Sequence, residues 1–421
     1  MHANDSPWLR IDAGRRSVSI DSTHPEFYND PYSTYERIRA VVPAFYWEEH
    51  RVWCFMNAAD VGAILRDRRF GRELLPLPGE EAQPPRPVPG HLAAFHAVNR
   101  DSMLEREPPV HTRLRTLVNR AFVARNIERL RPRITALAHG LIDRMKPDHR
   151  AELITAYATP IPVVVIAELL GVPTEMSSQL VEWSHRMVGV FQLGRTRAME
   201  DLAETATREF SGFLRGYFAE RRLRPADDLI SHLLAVEATG ERLSEDEMIA
   251  TCILLLNAGH EGTVHSIGNA VKTILEQGTD VRAAFSGEAA TEATVEECLR
   301  YDPPLHMFNR FAQEDVEVAG VRLGRGAEIA LLYGAANRDP SRYARAGVFD
   351  PARPVQGAAS AHASFGGGIH FCLGAPLARL ELQIALPILF ERLPGIFLKG
   401  RPTYRDTYHF HGLASLDVGW P

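Results

Sequence analysis

Apolar residues recur every three or four positions over most of the chain with few turn residues between them, a period that predicts helices. The windows that carry it are 32–41, 58–66, 110–122, 127–145, 153–170, 175–190, 198–222, 229–236, 245–276, 291–301 and 373–389. Strict alternation replaces it only at 52–56, 316–318, 328–332 and near 413–418, which predicts a few short strands. The expected fold class is mainly α with a small β region, the β-rich parts lying near 42–57, 306–334 and 396–420. Residues 74–91, rich in proline, and 339–368 carry little period, and loops of that length inside a compact domain usually serve a function. There is no internal repeat.

Composition narrows the classes. The 421 residues are 45% hydrophobic and 24% charged, which excludes a disordered or collagen-like chain and is compatible with one large fold over 1–421. A net charge of −6 argues against nucleic acid or an anionic membrane as main partner. The greasiest runs, 160–172 (broken by Glu168) and 252–256, fall short of the about 20 residues of a membrane span. The first twenty residues are polar and unlike a signal peptide, so a cytoplasmic location is expected. Cys54, Cys252, Cys298 and Cys372 form no CxxC pair, which fits neither a disulfide framework nor a thiolate zinc site. Cysteine chemistry must then rest on one residue.

Residues 365–374 read FGGGIHFCLG and precede the helical stretch APLARLELQIAL. A dinucleotide loop counted from Gly366 would need glycine where Phe371 stands, and a zinc site would need more than His362, His370 and Cys372. The spacing builds a glycine turn that delivers Cys372 to a helix N-terminus, where backbone N–H groups favour a thiolate. Gly366, Gly368 and Gly374 leave out side chains where a flat macrocycle would approach the backbone.

This segment resembles the heme loop of the cytochrome P450 family, F-x-x-G-x-[HR]-x-C-x-G, matched at Phe365, Gly368, His370, Cys372 and Gly374. The resemblance implies a cytochrome P450 fold holding heme b (iron protoporphyrin IX) between the long central helix and the cysteine helix. It implies Cys372 as axial iron ligand, Gly366 beside the heme and His370 at a propionate. Further family motifs follow in order along the chain. Glu297 and Arg300 form ExxR, implied to join Arg353 in a buried structural network. The segment EPPVHTRLRTLVNRAF places His111 and Arg115 on one helix face. By resemblance these two and Arg310 bind propionates.

Window 245–276 opens with a capping box, Ser244 and Glu247, and carries NAGHEGT at its middle. His260 and His265 are five apart, on different faces, which disfavours an HExxH zinc site. In the family this is the helix on the oxygen side of the heme, with the pattern A-G-x-[DE]-T. Ala258, Gly259, His260 and Glu261 match, but Gly262 stands where the threonine is usual and Thr263 follows it. A substrate hydroxyl or water fills the gap, Thr263 substitutes, or the chemistry is altered. The first is favoured here, because Gly262 leaves room for water beside Glu261, whose burial is expected to raise its pKa into the range of a proton relay.

The resemblance assigns the substrate pocket to Leu74, Leu75, Leu77, Val190, Phe191, Leu254, Leu255, Leu305, Phe308, Phe410 and Leu413, with Asn257, His306 and His411 as polar candidates. The expected activity is monooxygenation: one atom of O2 enters a small or medium apolar organic substrate, hydroxylation foremost. Without a flavin, nucleotide or iron–sulfur module, NAD(P)H electrons are implied to arrive through a separate ferredoxin or flavodoxin with its reductase. Arg113, Arg125 and Arg379 are candidate contacts for that partner. Two other readings stay open: peroxide-driven or otherwise diverted heme chemistry, prompted by Gly262, and a noncatalytic heme- or ligand-binding protein.

Overall fold

A computed structural model describes residues 6–76, 88–192, 194–236, 243–353 and 362–421, so the pocket candidate Leu77 lies outside the described residues. The protein is built around the helix Glu245–Glu276. Its capping box is formed in both directions: Ser244 Oγ accepts from Glu247 N at 3.1 Å, and Glu247 Oε2 accepts from Ser244 N at 2.9 Å. Thirty-two residues make a rod of roughly 48 Å. Most of its side chains are buried, because Pro160–Leu170, Glu288–Tyr301 and the cysteine helix Ala375–Arg392 pack around it. One apolar cluster runs continuously through these helices.

Helix Leu229–Val236 and strands Val316–Val318 and Glu328–Leu332 have the bounds that the period predicts. Two predicted helices are divided. The window 127–145 breaks into Ala124–Glu128 and Arg131–Met145, and Pro132 sits in the first turn of the second, where its missing N–H costs nothing. The window 153–170 becomes a π turn, Ile154–Ala158, followed by Pro160–Leu170.

The β region is larger than expected. A seven-stranded sheet has the order Leu9–Asp12, Ser17–Ile20, Ala44–Trp47, Val52–Phe55, Glu328–Leu332, Met307–Ala312, Phe70–Gly71. The N-terminal hairpin was not expected: four-residue strands are too short to show a period. Met307–Ala312 pairs antiparallel with Glu328–Leu332, setting Arg310 opposite Ile329. Near the C-terminus, Leu305 bridges to Phe410 and brings that turn over the middle of the long helix.

Candidate heme-thiolate site

The cysteine loop is held by its own backbone. Cys372 N donates to Phe365 O at 2.9 Å, Gly366 N to Ala363 O at 2.8 Å and Phe371 N to Gly368 O at 3.2 Å. Gly366 and Gly368 take φ of +67° and +66°, and a Cβ on Gly368 would stand 2.1 Å from Leu65 O, so only glycine fits there. Among the four cysteines Cys372 alone is partly accessible. Burial pushes its thiol up, and the N–H groups of Gly374 and Ala375 with Arg115 only partly oppose this. The expected thiolate is therefore corrected: the loop by itself holds a thiol, and a bound metal cation would deprotonate it.

Beside the loop lies a collection of histidine and arginine side chains. His111 and His370 have ring centroids 4.5 Å apart, and Arg115 Nη2 donates to Phe371 O at 2.6 Å. Burial, then the neighbouring His370 and Arg115, push His111 down to about 4. Arg310 is 3% exposed; its Nη1 donates to Asn309 O at 2.8 Å, and it has no carboxylate partner among the described residues. A buried, unpaired guanidinium costs several kcal/mol and calls for an anion. Glu107, which the sequence did not single out, bonds His370 Nε2 at 2.9 Å and accepts from Arg72 N at 2.7 Å. The residues present fit a heme: one accessible sulfur, a glycine-lined turn and a buried arginine with no carboxylate in contact among the described residues.

The long helix packs against the cysteine helix. Ala258 is exposed and Gly262 half-buried, one turn apart in a helix otherwise mostly buried at its middle. A Cβ on Gly262 would meet nothing within 4 Å. Thr263 does not share that face: it is buried and lies against Glu381 of the cysteine helix. Glu381 is buried with no well-formed hydrogen bond to either oxygen, and burial raises it to about 8. Its one visible sign in the sequence is a carboxylate inside the greasy run LARLELQIAL.

Glu261 departs from expectation. Burial does push its carboxyl up, but His260 and His265 outweigh burial and hold it well below the usual range. Its Oε1 lies 3.2 Å from His185 Nε2 and 3.6 Å from His260 Nε2, and its Oε2 lies 3.4 Å from His265 Nε2. Glu261 is thus an anion at neutral pH. His185 comes from the helix Ser177–Val188, and no local pattern announces the meeting.

A cavity of about 210 Å³ opens beside Glu261, its walls including His185, Phe191, His265, Arg405, His409 and Phe410. Of the pocket candidates it joins Phe191 and Phe410. Leu305 reaches it through its bridge to Phe410, and Phe308 lies 6.1 Å from the His409 ring. Leu254 is partly buried against the main core, and Asn257 Nδ2 approaches Met187 Sδ at 3.8 Å. Val190, Leu255 and Leu413 are buried core residues. Leu74 and Leu75 lie apart, against Gly326 and Gln313. His306 and His411 are closed in by Tyr32, Tyr35, Tyr404 and Asp302.

Glu297 and Arg300 make two bonds of 2.7 Å, both side chains buried, and Arg353 Nε reaches Glu297 Oε2 at 3.1 Å. Arg300 Nη1 ties this pair to Asn337 O and Ala346 O, each at 2.9 Å. Two candidate partner contacts are already neutralised: Arg113 pairs with Glu247, and Arg379 with Glu296 at 2.6 Å. Arg125 is exposed.

A family model described as Cytochrome P450 matches residues 289–399. The chain is 34% identical over 405 residues to the biotin biosynthesis cytochrome P450 of Bacillus subtilis (strain 168), covering 96% of this chain and 99% of that one. It is 35% identical to the vitamin D(3) 25-hydroxylase of Pseudonocardia autotrophica, over 93% of this chain and 94% of the relative. The crystal structure of P450BioI in complex with hexadec-9Z-enoic acid ligated acyl carrier protein superposes with a TM-score of 0.85 at 35% identity, covering 94% of this chain and all of that one.

Proposed function

The chain belongs to the cytochrome P450 family, monooxygenases that carry heme b, and from that we propose that it hydroxylates an apolar organic substrate. Bound through Cys372, the heme supplies the activation of O2. The observations that carry the reading are the open positions Ala258 and Gly262 on the long helix and a single accessible cysteine on the loop leading into the helix that packs against it.

The chain's own residues divide the remaining work. His111, Arg115, His370 and Arg310 hold the propionates, which relieves the unpaired Arg310. Phe191, Leu305, Phe308 and Phe410 offer an apolar wall to the substrate. The named relatives suggest a substrate of the size of a fatty acyl chain or a sterol-like alcohol. Half-exposed His185 stands 3.2 Å from Glu261 Oε1, and in this pair Glu261 acts as the anion that orients His185, which feeds protons to water in the space that Gly262 leaves open. Electrons come from NAD(P)H through a separate ferredoxin or flavodoxin and its reductase, in the cytoplasm. That partner would meet Arg125 and the exposed Ile369 and Phe371 rather than the neutralised Arg113 and Arg379.

Substrate-dependent NAD(P)H consumption with a generic ferredoxin system, coupled to a hydroxylated product, tests this reading. Glu261→Gln is expected to slow turnover more than Thr263→Ala, since Thr263 faces Glu381; the reverse order refutes the proton path. The open space at Gly262 favours one second reading, peroxide-driven oxygenation, whose mark is product formed with peroxide and none with the electron-transfer chain.

A further inference from the structure

The cluster around Glu261 holds more than a proton path requires, and an ion bound there would occupy the His185–Glu261 pair and close that path while it stays. His260 Nδ1 lies 2.7 Å from Leu256 O, and a carbonyl only accepts, so a ring proton sits on Nδ1. In the neutral ring Nε2 is then a bare lone pair. That nitrogen is buried, has no hydrogen-bond partner, and faces Glu261 Oε1, another buried acceptor without a partner, at 3.6 Å. With a neutral ring two acceptors face each other, and either a second ring proton on His260 or a bound cation satisfies both. His185 Nε2 stands 3.2 Å from the same oxygen on the other side.

We propose that His185 Nε2, His260 Nε2 and Glu261 Oε1 form a binding site for a divalent transition metal ion of the zinc class, joining the helix Ser177–Val188 to the helix Glu245–Glu276. The three atoms lie within 4.8 Å of one another. Tetrahedral bonds of about 2.0–2.1 Å set ligand atoms roughly 3.3 Å apart. The observed 3.2 and 3.6 Å bracket that spacing. Two imidazoles and a carboxylate are a ligand set that zinc accepts while leaving a fourth position for water. The supporting contacts are those that metal-bound histidines show: Leu256 O fixes the His260 tautomer, and His265 Nε2 steadies the far oxygen of Glu261 at 3.4 Å. His185, its side chain 47% exposed, and Glu261 both line the 210 Å³ cavity, which gives an ion a path in and room for the water ligand. Arg405 on the same wall opposes it.

The cluster Asp302, His306 and His411 has similar spacing, but its ligand atoms already have hydrogen-bond partners. Tyr32 and Tyr35 occupy the two nitrogens of His306, and Tyr32 and Tyr404 bond Asp302.

The test is calorimetric titration of the ferric holoenzyme with ZnCl2, without substrate, so that binding is read independently of turnover. One ion per chain is expected, with affinity rising with pH as protons compete less for the ligand atoms. His185→Ala, at a half-exposed position that does not endanger folding, and His260→Ala are each expected to weaken binding at least ~10-fold. His306→Ala leaves the affinity unchanged. Absence of a stoichiometric site, or equal affinity in His185→Ala and the unaltered enzyme, overturns the proposal without touching the monooxygenase reading.

Discussion

Glu381→Gln isolates one ionisable group. In the folded chain burial raises this carboxyl from 4.5 to about 8, so it is neutral at pH 7. The unfolded chain ionises it freely. A group whose folded pKa lies above its unfolded value contributes its full stability below pH 4.5 and loses it as pH rises from 4.5 to about 8. At pH 7 the cost relative to a side chain that never ionises is about 3 kcal/mol, and at pH 5 about 1 kcal/mol. Glutamine keeps the shape and removes the ionisation. The variant's advantage is therefore expected to grow by ~2 kcal/mol from pH 5 to pH 7, several degrees of melting temperature at roughly 1–2 °C per kcal/mol for a chain this long. Thermal unfolding of both holoenzymes across that range reads the difference, and an infrared carbonyl band of a protonated carboxyl at pH 7, absent from the variant, reads the group itself. A difference in melting temperature that is flat with pH refutes the reasoning, since it would mean that Glu381 is ionised in the fold.

Arg310→Leu is expected to have opposite signs in two states: removing a buried, unpaired cation stabilises the heme-free protein, while the holoenzyme loses heme more readily to an apomyoglobin acceptor. Equal heme loss in variant and parent would remove Arg310 from the propionate site. Gly368→Ala forces a side chain into a left-handed backbone and onto Leu65 O, so the purified protein should carry well under one heme per chain; full occupancy contradicts the loop geometry.

What the sequence made legible follows the range of the physics. The bounds of Glu245–Glu276 were readable because its capping box and its apolar period lie within the segment itself. The glycine turn before Cys372 was readable for the same reason: ten consecutive residues carry it. Strands such as Leu9–Asp12 escaped, since four residues are too few to show a period. The direction of the Glu261 shift was misread because burial is evident from a greasy helix, whereas the histidines that overrule it include one from another helix. Thr263 was credited with a relay role on adjacency, yet one residue along a helix is about 100° of rotation, enough to turn it from the opening to Glu381. Arg113 and Arg379 looked free in sequence, and only the fold brings Glu247 and Glu296 to them.

The reduced, carbon monoxide-bound spectrum of the purified enzyme, recorded beside that of Cys372→Ala, tests the central assignment most directly. The account predicts a thiolate-type difference band in the unaltered protein, with one heme per chain, and its loss in the variant. An unchanged band after the substitution would contradict it.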